Sequence, residues 1–128
     1  MVTRRHDAVS FSTPMYEYHV HATGLRRKFM TPLIMEVKAR TLDEAVTWSS
    51  HEGEEFILVL SGCIEIHTEF YEPVRLEAGE SAYIDSGMSH MFLNVGDDEA
   101  RMASICYSDS FDNAGIAAIM PAAEPADP

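Results

Sequence analysis

The stretch His51-Glu52-Gly53-Glu54-Glu55-Phe56-Ile57-Leu58-Val59-Leu60-Ser61-Gly62 decides the reading of this chain. It sets an imidazole and, four residues on, a carboxylate ahead of an apolar run that a glycine closes. A second imidazole, His90, lies downstream in Gly79-Glu80-Ser81-Ala82-Tyr83-Ile84-Asp85-Ser86-Gly87-Met88-Ser89-His90-Met91-Phe92-Leu93-Asn94. The runs beside both imidazoles are short, β-branched or aromatic, and bounded by Gly, Asp and Ser, which marks strands rather than helices. Side chains alternate along a strand, so His90, Phe92 and Asn94 share one face. A His and a Glu at a loop-to-strand entry can both point inward. We therefore expect His51, Glu55 and His90 to converge inside a small β-barrel as a 2-His-1-carboxylate site for one divalent transition metal. That donor set suits Fe, Mn, Ni, Zn and Co alike.

Outward from this stretch the same texture continues. Residues 16–22 alternate, with Tyr16, Tyr18 and Val20 on one face and Glu17, His19 and His21 on the other. Residues 33–39 form another run behind Pro32, a residue suited to the start of a strand. Further strands are expected over 56–61, 63–70, 74–76, 81–85, 91–95 and 101–108, giving about eight to ten with a short one at 9–11. Closely spaced strands without a helical period indicate an all-β sandwich or barrel. Thr41-Leu42-Asp43-Glu44 resembles a helix cap, but residues 41–45 are too few for more than a loop. Residues 1–14 read as an N-terminal arm, 15–112 as the barrel and 113–128 as a C-terminal tail. Within that tail, 114–123 suit one or two helical turns.

The chain has 128 residues, 46% of them hydrophobic, and a formal charge of −12, which places it as one ordinary domain. An acidic surface repels phosphate backbones, and Arg26-Arg27-Lys28 alone does not offset it, so no direct nucleic-acid contact is expected. That basic turn is a candidate anion contact, although a solvated turn explains it more simply. No apolar run is long enough for a membrane span, and Met1-Val2-Thr3-Arg4-Arg5 leads into no signal-peptide core. Cys63 and Cys106 lie in expected strands without CxxC spacing and read as free thiols in a reducing cytoplasm, with a disulfide open only if their strands meet. His67 alternates with Ile64 and Ile66 and is expected at the surface. No nucleophilic triad, P-loop or dinucleotide fingerprint is present.

The two quoted stretches resemble the paired motifs of the cupin superfamily, roughly G-x5-H-x-H-x3–4-E-x6-G and G-x5-P-x-G-x2-H-x3-N. His51-x3-Glu55-x6-Gly62 satisfies most of the first. Gly79-x5-Asp85-x-Gly87-x2-His90-x3-Asn94 satisfies the second, with Asp85 in the proline's place. Gly62, Gly79 and Gly87 suit tight turns between barrel strands. The resemblance implies a single cupin β-barrel, a double-stranded β-helix or jelly roll. The first His of the family's H-x-H falls on Ser49, so the common four-ligand set becomes three.

In that respect Trp48-Ser49-Ser50-His51-Glu52-Gly53-Glu54-Glu55-Phe56 is similar to the cupin sensor domains of helix-turn-helix regulators. It is also similar to the fosfomycin-type non-haem iron epoxidase, which uses His, Glu and His. Tyr16-x-Tyr18 resembles a tyrosine strand lining that enzyme's substrate site. No helix-turn-helix precedes residue 16, so a complete regulator is not expected, and the basic substrate contact that such a segment gives the epoxidase has no counterpart.

Three readings follow. The first is a stand-alone metal-binding cupin that holds a small organic ligand, with Tyr16, Tyr18, Phe92 and Asn94 lining its place. The second is an Fe(II)-dependent oxygenase or epoxidase-like enzyme, in which three protein ligands leave metal positions open. The third is a metal-free binding barrel in which Ser49 marks a decayed site. Both faces of 56–60 are apolar, so a second copy is expected to cover one of them as a homodimer.

Overall fold

Alternation of large apolar and polar residues makes Tyr16–Val20 a strand that buries Tyr16, Tyr18 and Val20 and turns Glu17 and His19 outward. The computed structural model describes residues 1–43 and 47–109, and among them nine strands follow one 3-10 turn, Arg5–Asp7. The strands are β1 Val9–Ser12, β2 Tyr16–Val20, β3 Met30–Val37, β4 Glu54–Ser61, β5 Cys63–Thr68, β6 Tyr71–Glu77, β7 Ser81–Asp85, β8 His90–Asn94 and β9 Ala100–Tyr107. They form a six-stranded sheet in the order β1-β2-β3-β9-β4-β7 and a three-stranded sheet in the order β6-β5-β8. Every pairing is antiparallel. The two inner faces enclose one apolar core, from Leu33, Met35, Ile57, Val59 and Met102 to Ile64, Ile66 and Phe92. The result is an all-β jelly-roll barrel.

Only β7 keeps its expected bounds; the other strands begin or end one to a few residues away from the sequence reading. β3 starts at Met30, so Pro32 lies inside the strand rather than ahead of it. Its carbonyl accepts the His21 N–H at 3.0 Å, so a proline N–H would face the same side, where β2 has ended. β6 runs from Tyr71 through Pro73 to Glu77 as the exposed edge of the smaller sheet, where a proline is tolerated. Part of the expected arm, Val9–Ser12, is the outer strand of the larger sheet. The expected turns over 114–123, the tail 113–128 and the end of the loop at 41–45 lie outside the described residues.

His67 corrects another expectation. It does face away from the core, yet it is only 9% exposed. Its imidazole bonds Glu65 at 2.7 Å and meets the edge of Trp48, with ring centroids 6.3 Å apart. Cys63 and Cys106 are both free thiols. Among the described residues no helix is long and apolar enough to cross a membrane.

Candidate metal centre

The loop entering β4 is laced to the loop entering β8. Ser49 and His90 exchange backbone hydrogen bonds of 2.8 and 2.9 Å. The His51 N–H donates to the Ser86 carbonyl at 2.8 Å, and the Ser86 N–H donates to the Gly53 carbonyl at 3.1 Å. Gly53 turns the chain between His51 and Glu55 at φ +116°, and a Cβ there would lie 1.8 Å from the Tyr107 carbonyl oxygen. Only glycine fits both constraints. Ser49 thus contributes backbone to the site while its short side chain leaves the lumen free.

These bonds bring together the three predicted ligands. His51 Nε2 lies 3.2 Å and His90 Nε2 lies 3.3 Å from the same oxygen, Glu55 Oε1. All three side chains are buried, and the two imidazole rings meet edge to face with centroids 5.2 Å apart. The other Glu55 oxygen accepts the Ser104 hydroxyl at 2.8 Å.

Burial alone would raise the Glu55 pKa. Hydrogen bonds to His51 and His90, the His90 charge and the Ser104 bond outweigh it and lower the pKa to about 2. Burial likewise works against protonated His90, but the Glu55 hydrogen bond and charge, with the Met88 carbonyl, raise its pKa.

The tautomer of His90 follows from its other nitrogen. Nδ1 lies 2.7 Å from the Met88 carbonyl, which can only accept, so Nδ1 carries a proton. Neutral His90 then turns a bare Nε2 lone pair toward a carboxylate oxygen at 3.3 Å. Two acceptors at that distance need a cation between them, either a proton or a metal ion. A backbone carbonyl orienting the distal nitrogen is also the support that metal-ligating histidines use. The donor set therefore fits a divalent transition metal.

The structure adds Cys106, which the sequence reading left out. Donor atoms of His51, Glu55 and Cys106 all lie within 4.8 Å of one another; His90 lies outside that group, with its Nε2 3.3 Å from the Glu55 oxygen. Cys106 pairs directly with Glu55 across β9 and β4. Burial, and then the Glu55 charge, push its thiol pKa upward. A second grouping, Glu17, His19 and Glu36, sits half-exposed on the outer face of the larger sheet, with His19 held by Ser10 at 3.0 Å.

Of the expected ligand-lining residues, Tyr16, Tyr18 and Phe92 border the space beside the donors and Asn94 does not. Asn94 accepts the Gly96 N–H and donates to the Asp98 carbonyl, shaping the turn after β8. The Tyr16 hydroxyl accepts the Phe92 N–H at 2.9 Å. The free space beside the donors is about 10 Å³, room for about one water or ion. A larger cleft of about 670 Å³ opens between β6 and β7, with Ile66, Val74, Leu76, Ala82 and Ile84 among its lining residues. Two of its lining residues are the cross-strand neighbours of donors: Ile84 pairs with Glu55, and Thr68 pairs with His90.

A family model for the cupin domain matches residues 34–106. Hydroxypropylphosphonic acid epoxidase from S. wedmorenis superposes with a TM-score of 0.74 at 21% identity, covering 84% of this chain and 59% of that one. A structure of the Fe(II) form of HppE gives a TM-score of 0.70 at 22% identity, covering 84% of this chain and 60% of that one. A protein of unknown function from Streptococcus pyogenes gives 0.59 at 15% identity, over 77% of this chain and 79% of that one. At these identities the likeness is one of fold, and the chain spans about three-fifths of the epoxidase's length. No curated protein matches the chain.

Proposed function

This chain belongs to the cupin domain family, and we propose that it is a metal-binding member that holds a small organic ligand at the open side of its barrel. The metal would be one divalent transition ion, with His51, Glu55 and His90 as ligands. The observation that carries this reading is the convergence of two buried imidazole nitrogens on one carboxylate oxygen at 3.2 and 3.3 Å. A bound cation would supply the positive charge that the Glu55–His90 contact otherwise draws from a proton. Glu55 and the Met88 carbonyl hold the His90 ring in place, and Ser104 holds Glu55.

The space beside the donors is too small for an organic molecule, whereas the β6–β7 cleft is of ligand size. The ligand is accordingly assigned to the cleft, with Tyr16, Tyr18 and Phe92 packed between the donors and the core. Free thiols suit a cytoplasmic setting. The outer face of β4, with Phe56 37% and Leu60 43% exposed, suits a second copy.

The likeness to an epoxidase with an Fe(II) form favours a second reading, an Fe(II)-dependent oxygenase. That reading requires substrate beside the metal, for which about 10 Å³ leaves no room without rearrangement. In the third reading, a metal-free barrel, His90 keeps its proton.

Thermal melting separates the three. A binding cupin rises in Tm with Fe(II), Mn(II), Ni(II), Zn(II) or Co(II) as ln(1 + [M]/Kd), and a cleft ligand raises it again without being consumed. A product formed from that ligand on chromatography would favour the oxygenase. No rise with any metal would leave the metal-free barrel.

A further inference from the structure

The sulfur beside this centre goes unused if the site has only three ligands. Resting on the reading that the centre binds a metal, we infer that Cys106 is a further protein ligand beside His51 and Glu55.

Two observations converge on this. Cys106 Sγ shares a sphere with a His51 nitrogen and a Glu55 oxygen, all within 4.8 Å of one another. Its place is built in, because Cys106 is the direct cross-strand partner of Glu55 and lies on the buried face of β9. Opposed side chains in such a pair stand about 5 Å apart at Cβ, close enough to share one ion.

The neighbours of the sulfur agree. Besides the acid, the sulfur meets the Ser104 hydroxyl at 3.6 Å, and that hydroxyl already donates to Glu55. On binding, the thiol releases its proton to solvent and the sulfur donates a lone pair to the cation; no electron is transferred. A softer donor set with one thiolate shifts preference from Fe(II) and Mn(II) toward Zn(II) and Co(II).

Titration with Co(II) alone, followed by absorption, tests this in the wild type, Cys106→Ser and Cys63→Ser. Cys63 is the other free thiol, on β5. A thiolate-to-cobalt charge-transfer band is expected in the wild type and in Cys63→Ser and not in Cys106→Ser. Cys106→Ser should also lose at least about tenfold in Zn(II) affinity, since even outer partners of ligands cost that much. X-ray absorption on Zn-loaded wild type should show one sulfur at about 2.3 Å, a readout that stands even if Cys106→Ser does not fold.

One equivalent of Co(II) bound without the band, or Zn with only nitrogen and oxygen neighbours, overturns the inference and leaves the three-ligand centre standing. A band retained in Cys106→Ser also overturns it. A wild type that binds neither ion overturns both readings.

Discussion

At the scale of residues, the carboxylate of Glu55 is the hub, contacted by His51, His90 and Ser104. Its pKa, brought down from 4.5 to about 2, stabilises the fold above pH 4.5, and that contribution is lost as pH falls through about 2. His90 works with the opposite sign. Its pKa is raised above 6.5, so its contribution is complete below 6.5 and is lost as pH rises through the folded value. Metal-free protein should therefore melt highest between about pH 4.5 and 6.5, with Tm falling on both sides. In Glu55→Gln, which removes the charge that raises His90, the alkaline fall should shrink. An unchanged alkaline slope would mean that the pair is not coupled. That His51, Glu55 and His90 come together was legible from local spacing, because loop-to-strand patterns are short-range. Cys106 and Ser104 were not, since only the register of β9 against β4 brings them to Glu55.

Among the elements, the loop from Ser49 to Gly53 decides whether the donors meet. Gly53→Ala would place a methyl 1.8 Å from the Tyr107 oxygen at a backbone angle side chains avoid. Backbone strain alone should cost about 1–3 kcal/mol. We expect a lower melting temperature together with weaker metal binding, read by calorimetric titration, because His51 and Glu55 flank the turn. Wild-type affinity in this variant would show that the loop is not what aligns them.

Strand identity was readable from period-two alternation, as in Tyr16–Val20. Strand ends were less so. Pro32 reads locally as a strand start, and only the end of β2 beside it makes an interior position harmless. His67 was misjudged for a related reason. Alternation correctly turned it outward, but the cover supplied by Trp48 comes from a loop distant in sequence.

For the whole molecule, the outer face of the larger sheet poses the open problem. Phe56 pairs with Ile105 on one side and Tyr83 on the other, while Leu60 lies along the same strand, so apolar surface runs across three strands. A single carboxylate in this patch should suffice to disrupt association. Phe56→Glu is expected to convert a dimer to a monomer in sedimentation velocity, with metal binding retained because Phe56 points away from Glu55. A monomeric wild type would remove the second copy from the account. The formal charge of −12 was legible from composition alone, and its spread over the surface adds repulsion that such a dimer must overcome. Association should accordingly strengthen with salt.

Everything proposed for this barrel depends on a metal held through Glu55. The most direct measurement is metal content by elemental analysis of untagged protein, wild type beside Glu55→Ala. About one equivalent of a divalent transition metal is expected per wild-type chain, as purified or after loading, and none in the variant. A folded wild type that stays empty and refuses added Fe(II), Mn(II), Ni(II), Zn(II) and Co(II) would contradict it.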